Sequence, residues 1–140
     1  MKKLLFFVFV SLFLALANAV PTKAAVINKA TILKLVAEDL EVAGNPDAWI
    51  KVDSRPDLAV KHKIYEVTSK KFPLSGAGRP TKWLVEEIGP GKYTVLANLG
   101  GVSKITPLST SHKGYRDIQC TDKLGSFACI YGINGYESKL

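Results

Sequence analysis

Two cysteines, two histidines and one methionine are all that this chain of 140 residues offers of those types, and the scarcity narrows its chemistry at once. His62, His112, Cys120 and Cys129 fall at intervals that match no compact zinc motif. No metal and no other cofactor is therefore expected. No serine sits in the G-x-S-x-G frame that displays a nucleophile on a strained turn. Past residue 19 no apolar run approaches the roughly 20 residues needed to span a bilayer, so the mature form is expected to have no transmembrane anchor. Internal repeats, low-complexity tracts and a second composition regime are lacking too. So is the interleaving of aromatic and basic residues that marks a nucleic-acid interface, and no nucleic-acid partner is expected.

The long apolar stretch that the chain does have stands at its beginning. MKKLLFFVFVSLFLALANAV combines two lysines, a hydrophobic segment and the triplet Ala17-Asn18-Ala19. This is the form of a secretory signal peptide cleaved after Ala19. Val20, Pro21 and Thr22 follow, so no cysteine stands ready for lipid attachment. The expected location is the periplasm or the medium, and residues 20–140 make one globular domain, long enough to bury a core. In such a compartment Cys120 and Cys129, with eight residues between them, are expected to form one disulfide. Formal net charge is +7, and +5 once Lys2 and Lys3 leave. A mildly basic domain favours an anionic partner, such as an envelope polymer or an acidic envelope protein.

Apolar spacing predicts one helix over Lys29–Ala43, with Asn28 as N-cap and Gly44 with Pro46 as the stop. Trp49, Ile50 and Val52 suggest a short strand within residues 45–56, and a further strand is expected over Lys63–Ser69. Beyond the loop FPLSGAGRP, TKWLVEE and KYTVLANL form a hairpin about Gly89-Pro90-Gly91, and VSKITPL follows the turn at Gly100-Gly101. YRDIQC then hairpins through Lys123-Leu124-Gly125 into SFACIYGI, with a last turn at Asn134-Gly135 before Tyr136. The expected class is α+β: an N-terminal helix packed on an antiparallel meander of about five or six strands, with one disulfide.

The stretch SHKGYRDIQC gathers Ser111, His112, Asp117 and Cys120 within ten residues. In an extended segment Ser111 and His112 point to opposite faces, which argues against the histidine serving as base for its neighbour. Glu86 and Glu87 likewise face opposite ways in a strand, so no glycosidase pair is formed. Both histidines are read as lying on a polar surface. The basic residues Lys61, Lys63, Lys70, Lys71, Arg79 and Lys82 gather around one loop in the sequence and are the candidate contact surface. Gly114 is expected to take positive φ at a turn, with Tyr115 and Asp117 on one face of the following strand and Arg116 and Ile118 on the other. Asp117 is expected to accept hydrogen bonds from the turn or from a neighbouring hydroxyl.

Taken in order, FPLSGAGRPTKWLVEE, KYTVLANLGG, STSHKGYRDIQC and YGINGYES resemble a group of small exported bacterial proteins. These have a G-[YW]-R-D-[IL] element, matched here by Gly114, Tyr115, Arg116, Asp117 and Ile118, and a closing segment matched by Tyr131, Gly135 and Tyr136. Some of them carry an acidic loop that looks like a calcium site, whereas Leu74-Ser75-Gly76-Ala77-Gly78 supplies no carboxylate. The resemblance implies a fold and a compartment, with no activity attached. The expected function is a non-enzymatic exported domain with a binding or structural role in the cell envelope. One alternative is an inhibitor of a secreted hydrolase, with Leu74–Arg79 as its wedge. A second is a small envelope hydrolase using Ser111, His112 and Asp117.

Overall fold

Alternation of apolar and polar residues builds eight antiparallel strands in a computed structural model that describes residues 26–76 and 78–139. The signal-peptide segment and its cleavage point lie outside the described residues. Strands β1 (Ile50–Ser54), β2 (Lys63–Ser69), β3 (Thr81–Gly89) and β4 (Lys92–Gly100) form one sheet in sequence order. Strands β5 (Lys104–His112), β6 (Tyr115–Thr121), β7 (Ser126–Tyr131) and β8 (Tyr136–Ser138) form a second, again in order.

Between the sheets lies one core, in which Ile64, Leu84, Leu96 and Ala97 of the first sheet meet Ile105, Ile118, Cys120 and Cys129 of the second. The opposite face of the first sheet carries Ile50, Val67, Trp83 and Val85, covered by Ile32, Leu33, Val36 and Ala37 of helix α1 (Lys29–Ala37). The first sheet is thus buried on both faces, which is why β3 reads as the continuous run Trp83-Leu84-Val85. A bulge in β4 leaves Leu96 without an opposite number, since Leu84 pairs with Ala97 and Val85 with Val95. It turns Leu96 and Ala97 together toward the second sheet.

Three expectations are corrected. The single sheet of five or six strands is two sheets of four, so the chain is mostly β with one short helix rather than α+β. The division falls at Gly100-Gly101: β4 and β5 are consecutive and do not pair, and the chain crosses there from one sheet to the other. The helix stops at Ala37 rather than Ala43, because Glu38 takes φ 50° and leaves the helical path. Asn28 does cap it, its side-chain oxygen accepting from the Thr31 amide.

The third correction concerns the cysteines. Cys120 and Cys129 are both free thiols, 4.0 Å apart and buried. Register explains it. Cys120 pairs with Phe127 and Cys129 with Ile118, so the two are diagonal neighbours on adjacent strands rather than direct partners. Burial pushes the Cys120 thiol up to about 12, with the neighbouring Cys129 adding to the effect, and burial raises Cys129 as well.

Candidate functional site

Between β1 and β2 the chain makes a strap from Arg55 to His62, closed at its base by the Arg55 amide bonding the Ile64 carbonyl. It spans the two sheets. Leu58 is fully buried between them, its carbonyl accepts from the Arg116 amide, and Ala59 bridges to Tyr115. The Arg55 guanidinium bonds Glu66 of β2, Asp57 of the strap at 2.8 Å and the Ile105 carbonyl of β5 at 3.1 Å. Hydrogen bonding to Asp57 is the main cause that raises the arginine's affinity for its proton, and Arg55 in turn holds the Asp57 carboxyl below its ordinary value.

At the far end of the strap His62 stacks on Tyr115, ring centroids 4.3 Å apart, and its Nδ1 lies 2.6 Å from Glu86 Oε1. The Tyr115 hydroxyl donates to the same carboxylate, 2.9 Å from Oε2. Glu86 shares the inner face of β3 with Leu84 and is only 7% exposed. A carboxylate so placed must find donors. The Nδ1 edge of His62 faces Glu86, and its Nε2 lies on the side of Gly114. Burial raises the Tyr115 hydroxyl well above the ordinary tyrosine range, and its bonds to Tyr131 and Glu86 add to this. Tyr115 also stacks on Tyr131 at 3.7 Å, and Tyr136 meets Tyr131 edge-on.

A second pair stands on the neighbouring hairpin. Lys113 and Gly114, at φ 53° and 86°, make the two-residue turn between β5 and β6. His112 Nδ1 lies 2.7 Å from Asp117 Oδ1. Pro107 pairs with Ile118 and Ser111 with Arg116, so three residues of β5 bulge opposite Asp117 alone. Burial works against the charge, but hydrogen bonds from Thr110 and His112 outweigh it and hold Asp117 below its ordinary value. Tyr115, Asp117 and Ile118 are all buried and Arg116 is exposed, so the strict alternation expected of this strand fails where three residues of β5 stand opposite Asp117. The Tyr136 hydroxyl donates to the Arg116 carbonyl at 2.7 Å, and Gly135 carries the turn before it.

The sequence-predicted residues are brought together only in part. His112 and Asp117 meet, but Ser111 lies on the other side of β5 and makes no hydrogen bond to His112 among the described residues. Lys82 turns to Glu66 and Thr68 and is mostly covered. The remaining basic residues divide between the two ends of β2: Lys61 and Lys63 at its start, with Lys70, Lys71 and Arg79 beyond its finish. The expected wedge Leu74–Arg79 is tied down, since Leu74 is buried against the helix side of the first sheet and the Arg79 amide bonds the Gly76 carbonyl.

Sequence reading placed both histidines on a polar surface and missed their carboxylates. The signal was available in β3, where Glu86 shares the parity of buried Leu84 and so needs a partner from elsewhere. It also missed a groove of about 680 Å³ between the strap and the β5–β6 hairpin, lined by Lys61, His62, Ser109, Ser111, Lys113 and Arg116. Among the described residues, none of the three cations there pairs with a carboxylate. Val60 stands on the same groove, 98% exposed. No family model, curated protein or solved structure matches this chain.

Proposed function

We propose that this protein is a non-enzymatic binding domain of the cell envelope, exported by its leader, that takes up an acidic partner in the groove between the strap and the β5–β6 hairpin. The observation that carries this reading is the convergence of Lys61, Lys113 and Arg116, none of them in a salt bridge among the described residues, on a concave surface that also offers the hydroxyls of Ser109 and Ser111 and holds one acid, Asp57. The nearby carboxylates have other partners. Asp57 is bound by Arg55, Glu86 by His62 and Tyr115, and Asp117 by His112. A binding role is favoured over a catalytic one because, among the described residues, neither histidine has a serine or cysteine nucleophile as a hydrogen-bond partner.

Binding of a defined polyanion, sulfated dextran, tests the reading. Affinity should fall steeply between low salt and about 0.5 M salt, where exposed charges are screened within a few ångströms. Lys61→Glu with Arg116→Glu should weaken binding at least tenfold, while Lys92→Glu and Lys104→Glu, outside the groove, should leave it within about twofold. Equal losses for the two pairs, or binding indifferent to salt, would remove the groove as the site.

A further inference from the structure

At the end of the first sheet away from the groove, the chain leaves β2 through Lys70, Lys71 and Phe72 and returns to β3 through Arg79 and Pro80. Phe72 is 81% exposed. With Lys70, Lys71 and Arg79 it lines a shallow surface of about 660 Å³. Two of the cations are held in place. Lys70 Nζ bonds the Asp47 carbonyl, and Lys71 Nζ sits 3.9 Å from the centroid of the Trp49 ring. Trp49 is half-buried and fixed by its indole N–H on the Ala43 carbonyl and by its own carbonyl on the Lys70 amide. Asp47, the acid beside this surface, is bound by Lys29.

An aromatic ring exposed to water, three cations beside it and a second ring under one of those cations make the composition of an interfacial anchor. The ring gains by entering the boundary of the acyl chains, and the cations gain by staying among anionic headgroups. A partner that is acidic without an apolar phase would satisfy the charges alone and leave Phe72 without a gain. We infer that this loop docks the protein on an anionic lipid surface, with Phe72 inserted and Lys70, Lys71 and Arg79 at headgroup level. The docking is independent of the groove. It would leave that groove facing away from the lipid, since the seven residues of β2 separate the two.

Vesicles of phosphatidylglycerol and phosphatidylethanolamine test the inference, with phosphatidylcholine vesicles as the neutral control, using the full chain throughout so that any contribution of the apolar leader is common to all variants. Each cation near such a surface contributes about a fivefold factor in partition. Lys70→Glu with Lys71→Glu should therefore lower sedimentation with anionic vesicles at least twentyfold. Phe72→Ser should lower it at least fivefold, and Lys61→Glu with Lys113→Glu should change it less than twofold. The second measurement reads the ring that Lys71 covers. Brominated acyl chains should quench the fluorescence of Trp49, an effect lost in Trp49→Phe, because Trp83 is buried beneath the helix. Absence of Trp49 quenching, or equal partition of the loop and groove variants, would overturn the inference.

Discussion

The Tyr115 hydroxyl lies 2.9 Å from Glu86 Oε2 and ties the second sheet to the first through a carboxylate that water barely reaches. His62 supplies the other donor, so the carboxylate is compensated from the strap as well as from β6. Removing one donor leaves a buried charge underbonded, which costs about 1–3 kcal/mol. Tyr115→Phe should lose that much in urea denaturation, and Glu86→Gln a comparable amount. The double variant should cost less than their sum by at least about 0.5 kcal/mol, as for groups in direct contact. Strict additivity would show that the hydroxyl and the carboxylate do not hold the sheets together.

Asp117 predicts an acid limb to stability. Its folded-state affinity for a proton is depressed, so the stabilisation it gives is present above its unfolded value of about 3.9 and is lost as pH falls through the lower, folded value. Asp117→Asn should therefore cost about 1–3 kcal/mol at pH 7 and progressively less below about pH 4. Thr110→Val should show the same trend on a smaller scale. Denaturation midpoints measured from pH 7 down to pH 2 check both. A penalty for Asp117→Asn that stays constant across that range would mean that the charge is not what the hairpin uses.

Much of the local structure was legible because it depends on neighbours in sequence. The alternation of β2, the glycine turn at Gly114 and the cap at Asn28 are set within a few residues. What was not legible depends on residues far apart. Nothing near Gly100 announces that β5 turns away from β4 to start a second sheet, since both strands alternate as they would in one. His62 and Glu86 are 24 positions apart, and their meeting follows from the strap folding over β3. The helix was overextended because Leu40 and Ala43 continue its apolar spacing, yet Leu40 is exposed and the backbone had already turned at Glu38. The cysteines look like a disulfide at eight intervening residues, and only strand register shows them to be diagonal.

The thiols give a direct check on that register. Cys120, raised by burial to about 12, carries almost no thiolate at pH 8, and a thiolate is the form that reacts. Native protein should be silent toward a thiol-exchange reagent at pH 8, and two thiols per chain should react after unfolding in guanidinium without added reductant. Fewer than two would contradict the free, diagonal pair.

Gly135 offers a test of how the sheets are closed. Its φ is 124°, and a Cβ there would stand 2.2 Å from the Leu96 carbonyl oxygen and 3.0 Å from its carbon. Both are backbone atoms of the β4 bulge and cannot swing aside, so any side chain must push the β7–β8 turn off the first sheet. Tyr136 follows immediately, and its packing on the inter-sheet core and its bond to the Arg116 carbonyl would go with it. Gly135→Ala should therefore destabilise by about 2–4 kcal/mol, combining backbone strain with lost packing. Gly125→Ala is the matched control. Gly125 also has positive φ, at 144°, but no atom lies within 4 Å of its Cβ position. It should show the strain alone, about 1 kcal/mol or a little more. Equal costs at the two positions in denaturant titrations would mean that the close approach of Gly135 to Leu96 contributes nothing to closing the sheets.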